Sequence, residues 1–292
     1  MEHTSHHPMQ DHHASSDLWA VLPVLLPAAM VLVLAAGYVL LARRARRRNP
    51  VLGWSGPRTL SFLTGCALLA VALSPPLAPV AHEDFRGHMA QHMLIGMYAP
   101  LALVLGAPVS LLLRTLPATR ARSLTRLLHS RPARLLAHPV TALVLATGTL
   151  PVLYFTPLYD ATMARPALHA LMHVHFLLSG CLFAWVVAGP DPAPSRPGVP
   201  ARLIVLGVAV AAHATISQLI YGGFLLGVHA PATQVRGGAE IMYYGGDIAE
   251  LLLAAALVAT WRPARARPAR PGRPSPRRTP GGIPDAAQLP YG

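Results

Sequence analysis

The sequence predicts an all-α fold: a polytopic membrane helix bundle with seven transmembrane helices, its amino terminus outside and its carboxyl terminus cytoplasmic. Three observations lead there. Hydrophobic residues fill 53% of the 292 positions, charged residues only 12%, and mean hydropathy is +0.44. The chain divides into seven apolar runs, each near the roughly 20 residues a helix needs to cross the hydrocarbon. All 24 basic residues are arginines, and they gather on alternate connections between those runs.

The runs are 18–42, 59–80, 88–113, 135–155, 167–188, 203–228 and 239–261. Arg43, Arg44, Arg46, Arg47, Arg48 and Arg58 lie between the first two; Arg114, Arg120, Arg122, Arg126, Arg131 and Arg134 lie between the third and fourth. Arg196 and Arg202 precede the sixth run, and a further set follows Trp261. The other connections hold only Arg86, Arg165 and Arg236. Short loops rich in arginine stay in the cytoplasm, so the sparse set faces outward. An odd number of spans then separates the two termini.

Three regions follow: 1–17, an outward His/Met-rich flexible tail; 18–262, the membrane domain; and 263–292, a Pro/Arg-rich cytoplasmic tail with too little apolar surface to order itself. The formal charge of +13 does not imply nucleic acid, because the arginines are spread over loops too short for a binding domain. Anchoring to anionic lipid accounts for them. The first run lacks the basic flank and cleavage site of a signal peptide and reads as a retained span. Cys66 and Cys181 lie within runs, form no CxxC pair and read as small core residues. No internal repeat suggests a two-half transporter.

The chemistry lies in the 15 histidines. Only His129 and His138 fall on the arginine-rich side, and His213 falls mid-span; the rest are in the amino-terminal tail, the outer loops or the outer helical turns. His88 and His92 are four residues apart, so they share a helix face. Met89, Met93 and Met97 repeat at the same spacing on the adjoining face. The fifth run opens with His169, His173 and His175, of which the first two pair in the same way. Both helices run inward, so the four imidazoles of His88, His92, His169 and His173 converge if the helices are neighbours. Imidazole with thioether favours copper, as Cu(I). The flexible tail, with His3, His6, His7, Met9, His12 and His13, raises the local metal concentration without forming a rigid site. A free amino terminus followed by His3 also offers nitrogen ligands to Cu(II).

The last run carries a polar stripe. Glu240, Tyr243, Asp247 and Glu250 follow helical steps and share one face. The stretch after Asp247 is too short to span a membrane at about 1.5 Å per residue, so at least one acid lies below the interface and needs a partner such as His213 or a bound cation.

The stretch His88-Met-Ala-Gln-His92-Met-Leu, followed by Ala99-Pro100-Leu and Leu105-Gly106-Ala107-Pro108, resembles the CtaG-like cytochrome c oxidase (caa3-type) assembly factors of bacteria. Tyr159-Asp160, His169, His173, Phe176, Gly180, Leu182-Phe183, Gly189-Pro190 and Pro192 resemble a second motif of that family. The resemblance covers residues 18–262. It departs near the seventh run, where Thr233-Gln234 precede Gly237-Gly238 and Tyr243 or Tyr244 stands in place of an expected Trp.

The resemblance implies a non-enzymatic role in the bacterial plasma membrane, maturing the terminal oxidase by handling copper. Its partners would be oxidase subunits and other copper chaperones. The sequence leaves open whether the protein is a homodimer, whether it binds copper directly, and which oxidase centre it serves. The expected ligands are His88, His92, His169 and His173, with Met89, Met93, His82, His175 and His229 as secondary candidates and Asp247 and Glu250 tuning charge. Two other readings stand beside this one. Facing histidines also ligate haem in electron-transfer proteins, and intramembrane acids also serve metal or proton transporters. A retinal protein is excluded, because there is no lysine to form its Schiff base.

Overall fold

The computed structural model describes residues 13–260 apart from 52, 76 and 195, with side chains from residue 25 onward. Most of the amino-terminal tail and all of residues 261–292 lie outside the described residues, so the expectations placed on them stay as stated. The described residues are helical, with no strand. The helices are α1 (His13–Arg48), α2 (Gly56–Leu73), α3 (Leu77–Glu83), α4 (Phe85–Met93), a π-helical turn (Leu94–Tyr98), α5 (Ala99–Leu105), α6 (Pro108–Thr115), α7 (Ala118–Leu128), α8 (Arg131–Leu136), α9 (Pro139–Thr147), α10 (Thr149–Tyr154), α11 (Leu158–Ala164), α12 (Pro166–Ala188), α13 (Val199–Gly222) and α14 (Ala232–Thr260).

Among the described residues, six stretches are long and apolar enough to cross a membrane, and α9 to α11 make a seventh if their bend is counted within one span. The fourth expected span differs most. It is interrupted at Gly148, and α11 turns by 84° from the axis of the preceding pair. Side chains such as Leu32, Leu60, Leu178 and Leu251 face outward, as expected of a surface whose solvent is lipid. The first helix begins at His13, earlier than the run at residue 18 suggested.

Proline sets many of the starts. α2, α6, α8, α9, α12 and α13 each carry Pro within their first two positions, where its missing N–H is no loss. Pro100 lies deeper, inside the third span. Without an N–H it cannot complete the bond to the carbonyl of Gly96. The chain widens just ahead of it, and the Ala99 N–H donates to the Leu94 carbonyl five residues back. α12 fits against this widened turn through Gly180, where a Cβ would collide with the Gly96 carbonyl oxygen.

The arginine end of the bundle is tied by polar contacts. The Tyr38 hydroxyl donates to the Gly106 carbonyl (2.7 Å) and accepts from Trp54 Nε1 (3.1 Å). Arg48 donates to the Thr115 carbonyl at 2.6 Å. Between α5 and α6, Ala107 is left-handed (φ 55°), an uncommon state for a residue with a Cβ. The turn is held by Asp191, whose carboxyl oxygens accept the Val109 and Ser110 N–H groups at 2.9 and 2.7 Å. Those N–H groups have no partner inside their own helix. We expect Asp191→Ala to leave them unpaired in a half-buried place and to destabilise the fold by about 1–3 kcal/mol. Thermal unfolding of the detergent-solubilised protein checks this, and an unchanged midpoint would remove Asp191 as the latch.

Candidate functional site

The opposite end of the bundle carries the histidines. Asp84 caps α4, accepting the Arg86 N–H at 2.8 Å, while its other oxygen pairs with the Arg86 guanidinium at 2.6 Å. That hydrogen bond to Arg86 holds the half-buried Asp84 carboxyl below the usual carboxylate range. α3 folds back onto α4 at Gly87, where a Cβ would run into the backbone of Val80 and Ala81. The fold-back carries His82 over α12, and its ring centroid lies 4.9 Å from that of His169.

His169 is the hub. Its ring centroid lies 4.3 Å from His173 and 6.3 Å from His88. His88, His92, His169 and His173 line one small cavity with Met172 and Phe176. Its volume is about 10 Å³, near the smallest space that admits one water-sized sphere. The two spaced pairs therefore meet, as helix adjacency requires. His88, His92 and His169 are all buried, and His88 Nδ1, His92 Nδ1 and His169 Nε2 have no hydrogen-bond partner in the protein. Unpaired imidazole nitrogens on residues that line so small a space are the donor type that soft and borderline cations take. Among the described residues, no three His, Cys, Asp or Glu side chains stand close enough together to hold an ion as they are.

The secondary candidates divide. His82 joins the cluster through His169. Met89 is fully buried, with its sulfur 3.5 Å from the Tyr154 hydroxyl. Met93 packs toward Gly245 of α14. His175 turns away to Thr149 Oγ1 at 2.8 Å, and His229 is exposed and pairs with Asp160 at 2.5 Å. Neither lines the cavity, because His175 lies two residues past His173 on another face of α12 and His229 belongs to the loop before α14.

Three aromatic side chains escaped the functional reading of the sequence. The buried Tyr154 hydroxyl lies 3.4 Å from His88 Nε2, Tyr159 stands edge-on to the His88 ring at 4.9 Å, and Phe176 stands edge-on to His92 at 4.2 Å. Tyr159 and Phe176 lie within the second family motif, which was their available signal. Tyr154 had none beyond being a polar-tipped residue at the end of an apolar run.

A second, larger cavity of about 60 Å³ lies deeper, and His92 and Phe176 line both. His213 and Glu250 also line it, and both are buried. The polar stripe of α14 thus descends from exposed Glu240, through half-buried Tyr243 and Asp247, to buried Glu250.

Fold and site together define a polytopic helical membrane protein with a histidine-lined cavity at one end. The profile of the cytochrome c oxidase caa3 assembly factor family matches residues 36–264, and the chain belongs to that family. It is 37% identical over 257 residues to uncharacterized proteins of Mycobacterium bovis and Mycobacterium tuberculosis, and 35% identical over 256 residues to one of Mycobacterium leprae. Each match covers 81% of this chain but 38% of the relative, so the chain spans little more than a third of the length of those proteins. No solved structure matches it.

Proposed function

We propose that the chain serves the assembly of a caa3-type cytochrome c oxidase by holding Cu(I) in the cavity of His88, His92, His169 and His173 and passing it to an oxidase subunit or to another copper chaperone. The observation that carries this is that histidines with unpaired, buried ring nitrogens line one ion-sized space in a chain of this family. Neutral imidazoles bind Cu(I) without a thiolate cage, which suits an ion that must be released. The arginines gather at the other end of the bundle, so by the positive-inside rule the cavity faces outward in the plasma membrane. A haem fits this site less well: a cavity of about 10 Å³ is far smaller than a porphyrin.

Copper content and absorption spectra of the purified full chain after anaerobic Cu(I) loading test the reading. The expected result is bound copper without a Soret band, reduced in a variant with His88, His92, His169 and His173 all changed to Ala. Equal copper in both proteins would move binding to the tail and sink the proposal. A Soret band lost with the same four histidines would favour the haem reading.

A further inference from the structure

We infer that the deeper cavity is a second Cu(I) position, in which His92 and His213 supply the ligand nitrogens and Glu250 the countercharge. The inference deepens the proposed function and rests on its Cu(I) reading.

Three groups from three different helices meet at this cavity: His92 from α4, His213 from α13 and Glu250 from α14. Their exposures are 6%, 3% and 5%, so each is more than nine-tenths buried. Each also has a buried polar atom with no partner in the protein: His92 Nδ1, His213 Nε2 and Glu250 Oε2. Buried polar atoms are normally paired, and here the three residues that carry the unpaired ones line a single space of about 60 Å³. That space admits an ion with attendant water. Met97 lines it as well and adds a soft thioether.

Charge selects the ion. In a membrane interior an isolated charge is costly, and a compensated one much less so. One Cu(I) and one carboxylate sum to zero, whereas a divalent ion would leave a buried net charge. Two imidazoles suffice for a two-coordinate Cu(I), so the site does not need the three converged ligands of a zinc or Cu(II) centre. His213 is held in place by Gly246, which lies so close beneath its ring that any Cβ would overlap the imidazole. His92 belongs to both cavities. An ion bound by His92 in the outer cavity can therefore pass inward by exchanging its other ligand, without leaving the protein.

Anaerobic Cu(I) titration of the full chain against a chromogenic Cu(I) chelator tests this. His213→Ala and Glu250→Gln should each lose one equivalent relative to the unaltered protein and keep the outer one, whose retention shows that the variant is folded. His88→Ala combined with His169→Ala should lose the outer equivalent and keep the inner. The tail histidines are common to all variants and cancel in the differences. Unchanged stoichiometry in both inner variants would overturn the inference and leave the proposed function standing. Loss confined to the inner variants, with none in the outer pair, would uphold the inner site and overturn the outer one. If His213→Ala binds no copper at all, the isosteric Glu250→Gln decides, one equivalent lost supporting the site and none lost refuting it. Tighter binding of Zn(II) than of Cu(I), removed by Glu250→Gln, would also overturn the assignment.

Discussion

Gly180→Ala is expected to cost the protein both stability and the Cu(I) binding proposed for it. The added methyl cannot be accommodated by a rotamer change, because it would meet the carbonyl oxygen of Gly96, a backbone atom of the π-helical turn. Either α12 moves away or the turn re-forms. Overpacking of this kind typically costs about 1–3 kcal/mol, and contact with rigid backbone places the change toward the upper end. The effect reaches the site because Phe176, which stands on His92, lies one helical turn before Gly180, while Gly96 lies one turn after His92. Thermal unfolding and Cu(I) stoichiometry should therefore fall together. Gly207, which has open space around its position, is the control, and Gly207→Ala should change neither. Normal copper binding and stability in Gly180→Ala would show that the Gly96–Gly180 contact does not position the site.

The second large effect concerns orientation and is close to all or none. A cysteine introduced at Ser123 in α7 should escape a membrane-impermeant maleimide in intact cells and react in inverted vesicles. One introduced at Ala230, in the loop between α13 and α14, should do the reverse. The background is low because Cys66 is buried and Cys181 half-buried within membrane helices. The expectation rests on the arginines of α7 and α8 and of the α1–α2 connection, together with the rule that arginine-rich short loops stay on the cytoplasmic side of a membrane. Labelling of Ser123→Cys in intact cells would invert the bundle, place the histidine cavity in the cytoplasm and remove the route to an outward-facing copper centre.

Much of this arrangement is legible in the residues, and the rest was hidden for identifiable reasons. Hydropathy and arginine placement showed the helical membrane class, because lipid demands long apolar runs whatever the neighbours do. The spacing of His88 with His92 and of His169 with His173 showed two facing pairs. Their meeting depends on which helices touch, and single-residue spacing does not encode that. The 84° turn into α11 lies just past the end of the run at 135–155, and the end of an apolar run does not encode how sharply the chain turns beyond it. Asp191 carried no signal in the sequence, since its partners Val109 and Ser110 are far away in the chain. His175 and His229 were candidates by residue type and by their place at the outer ends of the runs, while their neighbours Thr149 and Asp160 could be seen only in three dimensions. The burial of Glu250 was partly legible: an acid that far along a crossing helix had to lie within the membrane.

The π-helical turn at Leu94–Tyr98 has a consequence for length changes in the gene. Such a turn holds one residue more than the α-helix it replaces. Deleting a single residue from Leu94–Tyr98 would let the turn close into ordinary α-helix with both flanks in phase, whereas deleting one from α5 would swing everything on its amino-terminal side by about 100° around the axis. His88 and His92 would then point at different neighbours, although every side chain that forms the cavity was still present. Point substitutions there test packing, whereas a one-codon deletion tests aim.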